Sequence, residues 1–278
     1  MKKLYKSKNF KLKVISFIFL SILALLFIIP YVWMIMNSLK PTKEILLKPY
    51  NLFPVEPTLS SYTKVLVKTP FFTWFKNSVI ITVTNTVIVL ITSSLLGFVF
   101  SKYSFRFREI LFALLLATMM IPSQATMIPS FLLISKMGLY NNILALIIPS
   151  FISTFGVFLC KQFIDDIPKE LFESAMLDGA SDFMVFKRIV LPAIRPALGS
   201  LTIFTFLAYW NDYTSPLIYL SSTENQTLPL ALSFFSSQHS TDVSAIMAAS
   251  ALIILPVTIV FVIFQKQFIK GITMTGMK

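Results

Sequence analysis

Residues 165–196 read DDIPKELFESAMLDGASDFMVFKRIVLPAIRP, a polar, charge-dense island in the second half of a chain that is otherwise mostly hydrocarbon. Six of the twelve acidic residues lie in it: Asp165, Asp166, Glu170, Glu173, Asp178 and Asp182. The island predicts two short helices. Pro168 suits a first helical turn, where its missing N–H costs nothing, and Asp165 and Asp166 stand before it as caps for the positive helix end. Gly179 supplies the left-handed residue that closes a helix, so Pro168 to Asp178 makes about three turns, roughly 16 Å. Ser181 then caps a second helix that carries Lys187 and Arg188 in its last turn, and Leu191-Pro192 followed by Pro196 stops it. On the first helix Leu171, Phe172, Ala175 and Met176 share a stripe, while Glu170, Glu173 and Asp178 lie off it. An element this short is not stable alone and must dock onto something.

Outside the island the chain is apolar. Of 278 residues 56% are hydrophobic and 13% charged, with a mean hydropathy of +0.79. A soluble domain carries about a quarter charged residues, so the composition points to a membrane protein. The pI near 9.7 and formal charge of +12 would suit nucleic acid, but the lysines and arginines flank apolar runs instead of lining one face. That placement fits anionic lipid headgroups and topology signals. Cys160 is the sole cysteine and sits in an apolar run, which excludes an intrachain disulfide and argues against a metal cluster. His239 is also alone and reads as a surface or loop residue.

Six apolar runs predict six spans at about 14–36, 77–100, 110–135, 143–163, 196–220 and 243–264, with an elbow over 165–192. The first follows six lysines; it is longer than a secretory core and lacks a small-residue cleavage site, so it is expected to remain as an anchor. Residues 40–76 hold five prolines and read as an exposed loop. Thr82, Thr84, Thr86, Thr92 and Ser93 give the second span a polar face suited to packing on other helices. Pro122 and Pro129 fall inside the third, which is expected to kink or break where it lines a cavity. With both termini, the turn at 102–108 and the island inside, seventeen Lys and Arg lie inside and seven outside. Six of those seven, from Lys40 to Lys76, crowd one outer loop against the usual bias. No internal repeat is visible, and one domain is the simplest account.

The string ESAMLDGAS, with Ile189 and Leu191-Pro192 behind it, resembles the EAA signature of ABC importer permeases. IPKELFE and the DGA triplet resemble the carbohydrate-uptake, maltose-type branch and its shorter permease. The resemblance implies an all-α fold with six transmembrane helices and a cytoplasmic coupling elbow, in a bacterial cell membrane with both termini cytoplasmic. It implies that Glu173, Ser174, Ala175, Asp178, Gly179 and Ala180 meet an ATPase, Glu173 by pairing with a basic residue; taken alone, Glu173 is a solvated helix carboxylate. Ser174 departs from the pattern, standing where the family usually has Ala. The implied partners are a second permease subunit, a dimer of ABC ATPase subunits, an extracellular solute-binding protein, and a sugar. A tail like Lys270-Gly271 to Gly276 reaches into the ATPase in such systems; otherwise it is a frayed end.

Nothing in the chain marks a catalyst: HExxH, a Cys pair and G-x-S-x-G are absent, and Met277 spoils a phosphate loop at Gly271 to Lys278. ATP and Mg are therefore expected to act in the partner, with no cofactor or metal bound here. Trp210-Asn211-Asp212-Tyr213 resembles W-N-D strings of carbohydrate permeases and suits a sugar, with rings for C–H faces and polar groups for hydroxyls. The bland alternative is an interfacial carboxylate beside a belt tryptophan. Gln124, between the two prolines of the third span, is a second pathway candidate. The rival functions are a permease for a polyamine or phosphate, and a polytopic membrane enzyme or channel.

Overall fold

The computed structural model describes residues 2–235 and 242–275, with side chains over 10, 13–233, 235 and 242–266; among these every regular element is helical. Four helices are long and apolar enough to cross a membrane: Lys13–Ser38, Phe71–Lys102, Ile143–Asp165 and Val243–Lys266. Two bent pairs, Arg108–Met120 with Ser123–Lys136 and Asp182–Ala193 with Arg195–Trp210, bring the number to six if each pair is one span.

The chain separates into two compact units. The first comprises residues 1–69 and 232–253. Here α1 (Lys2–Ser38) precedes two short helices, α2 (Thr42–Leu47) and α3 (Ser60–Lys68). The segment after α1 is not a plain exposed loop. Lys40 is fully buried, its ammonium donating to Asn37 Oδ1 at 3.0 Å and to the Asn51 carbonyl. Asp242, just ahead of the last helix, accepts from Thr42 Oγ1 at 2.8 Å, from the Ala245 N–H at 3.1 Å and from Lys64 Nζ. Burial pushes the Asp242 carboxyl up, but these hydrogen bonds and the Lys64 charge outweigh it and hold the group below the usual carboxylate value.

The second unit, residues 70–231 and 254–278, is organised around α4 (Phe71–Lys102). Its buried positions include Ser78, Ile81, Thr82, Asn85, Thr86, Val89, Ser93, Gly97 and Phe98, a repeat of three and four that presents one stripe inward. Val83, Val87, Ile91, Leu95 and Val99 form the opposite, exposed stripe, which suits lipid. Small residues on the inward stripe let α7 (Thr154–Asp165) come close: a Cβ on Gly97 would stand 2.8 Å from Cys160 Cβ, and one on Gly156 would stand 2.2 Å from Ser93 Oγ.

Between them the chain breaks as its prolines dictate. α5 (Arg108–Ala117) tightens into a 3₁₀ turn (Thr118–Met120), and α6 (Ser123–Lys136) leaves it at 101°. The break is at Ile121-Pro122, where the residue before proline is pushed to an extended conformation; Pro129 stays inside α6. The fourth apolar run starts as two 3₁₀ turns, Ile143–Leu146 and Ile148–Phe151, before α7. Asn85 Nδ2 donates to the Leu146 carbonyl at 2.9 Å, and Ser150 Oγ donates to Asn85 Oδ1 at 2.8 Å. The side chain on α4 thus satisfies backbone that a helix would have satisfied itself.

The island follows as α8 (Lys169–Leu177) and α9 (Asp182–Val185), which runs through a π turn (Phe186–Val190) into α10 (Leu191–Ala193). Two expectations are corrected here. Asp165 does not cap α8: it accepts from Ser101 Oγ at 2.6 Å and Lys161 Nζ at 2.7 Å. Leu191-Pro192 does not stop the second helix, because the extra residue of the π turn takes up the missing donor; the chain turns at Ile194, by 75°. Then come α11 (Arg195–Trp210), α12 (Thr214–Tyr219), a 3₁₀ turn (Thr223–Asn225) and α13 (Leu228–Ala231). The last helix, α14 (Val243–Thr275), contains Pro256.

Candidate functional site

The elbow is held at its base and bare at its tip. Its base belongs to a core of Phe98, Ile164, Ile167, Phe172, Val185, Phe186, Val190 and Ile194, contributed by α4, α7 and both elbow arms. Of the stripe expected on α8, Phe172 is buried at 7% exposure and Ala175 packs beside it. Leu171 and Met176 are exposed, and Leu177 is 89% exposed. Phe183 and Met184 on the other arm are exposed as well. Apolar side chains on a charged, water-facing elbow mark a surface made to be covered.

At the tip, Gly179 takes φ +77°, with the Gly179 N–H bonded to the Met176 carbonyl and the Ala180 N–H to that of Ala175, both within 3.0 Å. A Cβ on Gly179 would meet nothing within 4 Å, so the glycine serves the backbone angle, not a crowded contact inside the chain. Glu173 and Ser174 lie on the exposed side of α8; the Ser174 hydroxyl bonds back to the Leu171 carbonyl at 3.3 Å. Ser181 caps α9 through Met184 N–H. Glu173, Ser174, Asp178 and Gly179 are thus exposed on the elbow, while Ala175 and Ala180 are half-buried against its core; Glu173 lines a pocket with Lys102 and Asp182, and Asp178, Gly179 and Ala180 line another with Arg188.

The C-terminal end of α4 grips that base. Lys102 Nζ sits 4.1 Å from the centre of the Phe172 ring and donates to the Ile167 carbonyl at 3.4 Å. Burial, and the Asp182 carboxylate that accepts its hydroxyl, push the Tyr103 phenol up to about 12, so it stays a donor. The sequence singled out none of these α4 residues, because a basic turn after a span reads first as a topology signal.

The second candidate cluster is split. α11 ends at Trp210, so Asp212 lies in a break between α11 and α12 and not on a continuing helix. Trp210 is 1% exposed, stacked on Phe206 at 5.6 Å and edge-on to Phe75 at 5.9 Å; it is no belt residue. Asn211 and Tyr213 are exposed. Asp212 caps α12 by accepting from the Ser215 N–H at 3.1 Å, and it faces a cavity of about 150 Å³ lined also by Ser150, Tyr209, Ser215, Tyr219 and Thr227. The Thr227 hydroxyl is buried there without a partner among the described residues. Gln124 is exposed on the first turn of α6 and does not join this cavity. In the tail, Lys270 and Gly271 fall within α14; Gly276 and His239 lie outside the described residues.

Asn141 is a residue the sequence did not flag. At φ +58° its Oδ1 accepts from Ser221 N–H, Ser222 N–H and Ser222 Oγ at 2.9–3.0 Å, and its own N–H reaches the Tyr219 carbonyl. It thereby fixes the loop that follows α12.

Broken apolar spans and a helical elbow clamped at its base describe a multi-pass membrane protein, and its relatives make it a permease, a transport subunit and not an enzyme. The match to known proteins makes that particular: residues 90–274 fit the binding-protein-dependent transport system inner membrane component family, and the chain belongs to it. It is 35% identical over 265 residues to the arabinooligosaccharides transport system permease protein AraQ of Bacillus subtilis, covering 94% of each chain. The lactose transport system permease protein LacG of Rhizobium radiobacter is 31% identical over 93% of this chain and 94% of its own. Among solved structures, a chain of a bacterial ABC transporter involved in the import of the acidic polysaccharide alginate superposes with a TM-score of 0.81 at 24% identity, over 92% of this chain and 95% of that one. That likeness supports the fold.

Proposed function

We propose that this chain is one of two permease subunits of an ATP-driven importer of oligosaccharides, working with a second permease, a dimer of ATPase subunits and an extracellular solute-binding protein. ATP and Mg act in the ATPase, and both termini and the elbow face the cytoplasm. The observation that carries the coupling role is the elbow itself: its base is buried in the core, while Met176, Leu177 and Phe183 are left exposed at its end. Closure of an ATPase dimer on that end supplies the work, and Glu173 offers its carboxylate to a basic residue there. Relatives named for arabinooligosaccharides and for lactose support a saccharide cargo. Asp212, with the hydroxyls around its cavity, is the pathway candidate on this chain, and Asn211 and Tyr213 are exposed beside it; Trp210 backs the break from within. Lys270, Gly271 and Gly276 belong to a tail that we assign, second to the elbow, to the ATPase contact.

Two experiments test this. Uptake of arabinotriose, lactose, putrescine and phosphate, measured in cells carrying or lacking the gene, should show dependence for a saccharide; dependence for putrescine or phosphate alone would reject the cargo. Glu173→Lys and Gly179→Leu should abolish uptake while leaving normal protein levels in the membrane. Uptake and ATPase assembly at wild-type levels in Gly179→Leu would reject the elbow as the coupling element.

A further inference from the structure

We infer that Lys102 is the positioning residue that turns a push on the elbow into movement of α4; this rests on the coupling role proposed above. α8 has nine residues and cannot hold its own shape in water. What holds it is specific. Its one buried side chain, Phe172, lies under the Lys102 ammonium, and the same ammonium bonds the carbonyl of Ile167, at the elbow's entrance. A cation over a desolvated ring that also donates to a backbone carbonyl ties the entry and the first arm to one side chain. The second arm is tied one turn away: Phe98, four residues before Lys102, meets the Phe186 ring at 5.5 Å, and Tyr103 bonds Asp182.

Both arms are therefore fastened to the last turn of α4, and the free tip lies beyond them. α4 is the helix on which α7 and α11 pack, so an elbow that moves as a lever must carry it. Phe98 and Tyr103 are anchored in turn by their own ring contact at 5.6 Å. Lys102 is the contact that reaches α8, the arm carrying Glu173. Methionine in its place keeps the length and apolar stem but removes the charge and the donor; arginine keeps both.

The test uses the full importer, co-expressed with the permease and ATPase subunits encoded beside it and placed in nanodiscs. Cys160 is fully buried, so introduced thiols are the reactive ones. A Glu170→Cys variant, at an exposed position on the same helix that carries no proposed contact of its own, reports docking by crosslinking to the ATPase. In separate samples a bimane on Val83→Cys, an exposed site on α4, reports transmission as the fluorescence change on trapping with Mg-ATP and vanadate. Lys102→Met should keep the crosslink and lose the Val83 response about tenfold, while Lys102→Arg keeps both. If Lys102→Met does not reach the membrane, Phe172→Leu, which removes the ring and keeps the bulk, is expected to give the same pattern and decides instead. A wild-type response in Lys102→Met overturns the inference, as does a lost crosslink in a normally inserted variant, or a wild-type complex whose Val83 probe never responds. No crosslink in the wild type is a different result: it removes the coupling role itself, and this inference with it.

Discussion

Gly97 tests whether close approach of α4 and α7 is what holds the second unit together. A methyl added there would stand 2.8 Å from Cys160 Cβ, 2.9 Å from the Lys161 backbone nitrogen and 3.2 Å from the Cys160 carbonyl carbon. None of these atoms lies at the end of a flexible side chain, so the helices must part. Overpacking of this kind costs about 1–3 kcal/mol, against which alanine's better helix propensity returns about 0.5–1 kcal/mol. Gly97→Ala is expected to lose about 1–2 kcal/mol net. Gly156→Ala is the internal comparison, because its nearest obstacles are Ser93 Oγ at 2.2 Å and Ser93 Cβ at 3.0 Å. That hydroxyl is buried without a hydrogen-bond partner among the described residues, so Ser93→Ala forfeits none of the bonds described and should be neutral within about 0.5 kcal/mol. Added to Gly156→Ala, it should recover most of the loss. Reversible SDS unfolding of the purified permease in dodecylmaltoside micelles measures all four. Gly97→Ala as stable as wild type, or a double variant no better than Gly156→Ala, would refute the reasoning.

Asp242→Asn should loosen the first unit near neutral pH. Because its folded carboxyl titrates below its ordinary value of 3.8, its contribution is complete above 3.8 and disappears as pH falls through the lower folded value. Hydrogen exchange in α3, compared between variant and wild type, should show a difference that closes only in that acid window. Asn141→Ala should free the 221–225 loop at a cost of about 1–2 kcal/mol, read by exchange at Ser221 and Ser222; Asn141→Gly, which keeps the positive φ, should still lose the bonds. Asn85→Leu removes the Leu146 carbonyl's bond to Asn85, while the Ser150 hydroxyl keeps its bond to the Ile147 carbonyl, and should cost about 1–3 kcal/mol in the same SDS assay.

Hydropathy and proline placement made the spans and the elbow legible, since a run of twenty apolar residues and a Gly between two short helices each have few alternative fates. The places where the reading failed share a cause. Lys40 reads as loop charge, yet it is buried against Asn37 and Asn51; a lysine's neighbours across eleven residues are not written in local pattern. Trp210 reads as a ring for a sugar or, alternatively, as a belt residue, but the helix ends under it and its indole is buried. The stop expected at Pro192 failed because a π turn upstream absorbed the missing donor. Lys102 carried a topology signal in sequence and a clamp in structure, and only the position of Phe172 separates the two. Asn141 shows the limit most plainly: its partners lie eighty residues away.

The crowding of lysines on the segment between α1 and α4 is the feature least consistent with an elbow facing inward, and the fold weakens the objection. Two of the six have structural work there: Lys40 is buried as a donor, and Lys64 is paired with Asp242. That gives these two lysines a reason to stand there other than topology, while all seven positive charges on the proposed outer side still count against seventeen. Lys48 and Lys68 flank helix ends, and Lys68 lines an open groove of about 590 Å³ with Thr42, Ser61, Lys64 and Asp242. In the proposed orientation this basic face is the outer one, and its charge would make an encounter with a solute-binding protein depend on salt. Uptake in inside-positive terms is therefore expected to fall as ionic strength rises, and a Lys64→Met, Lys68→Met variant should flatten that dependence. Uptake that ignores salt in both proteins would return the six lysines to the column against this orientation.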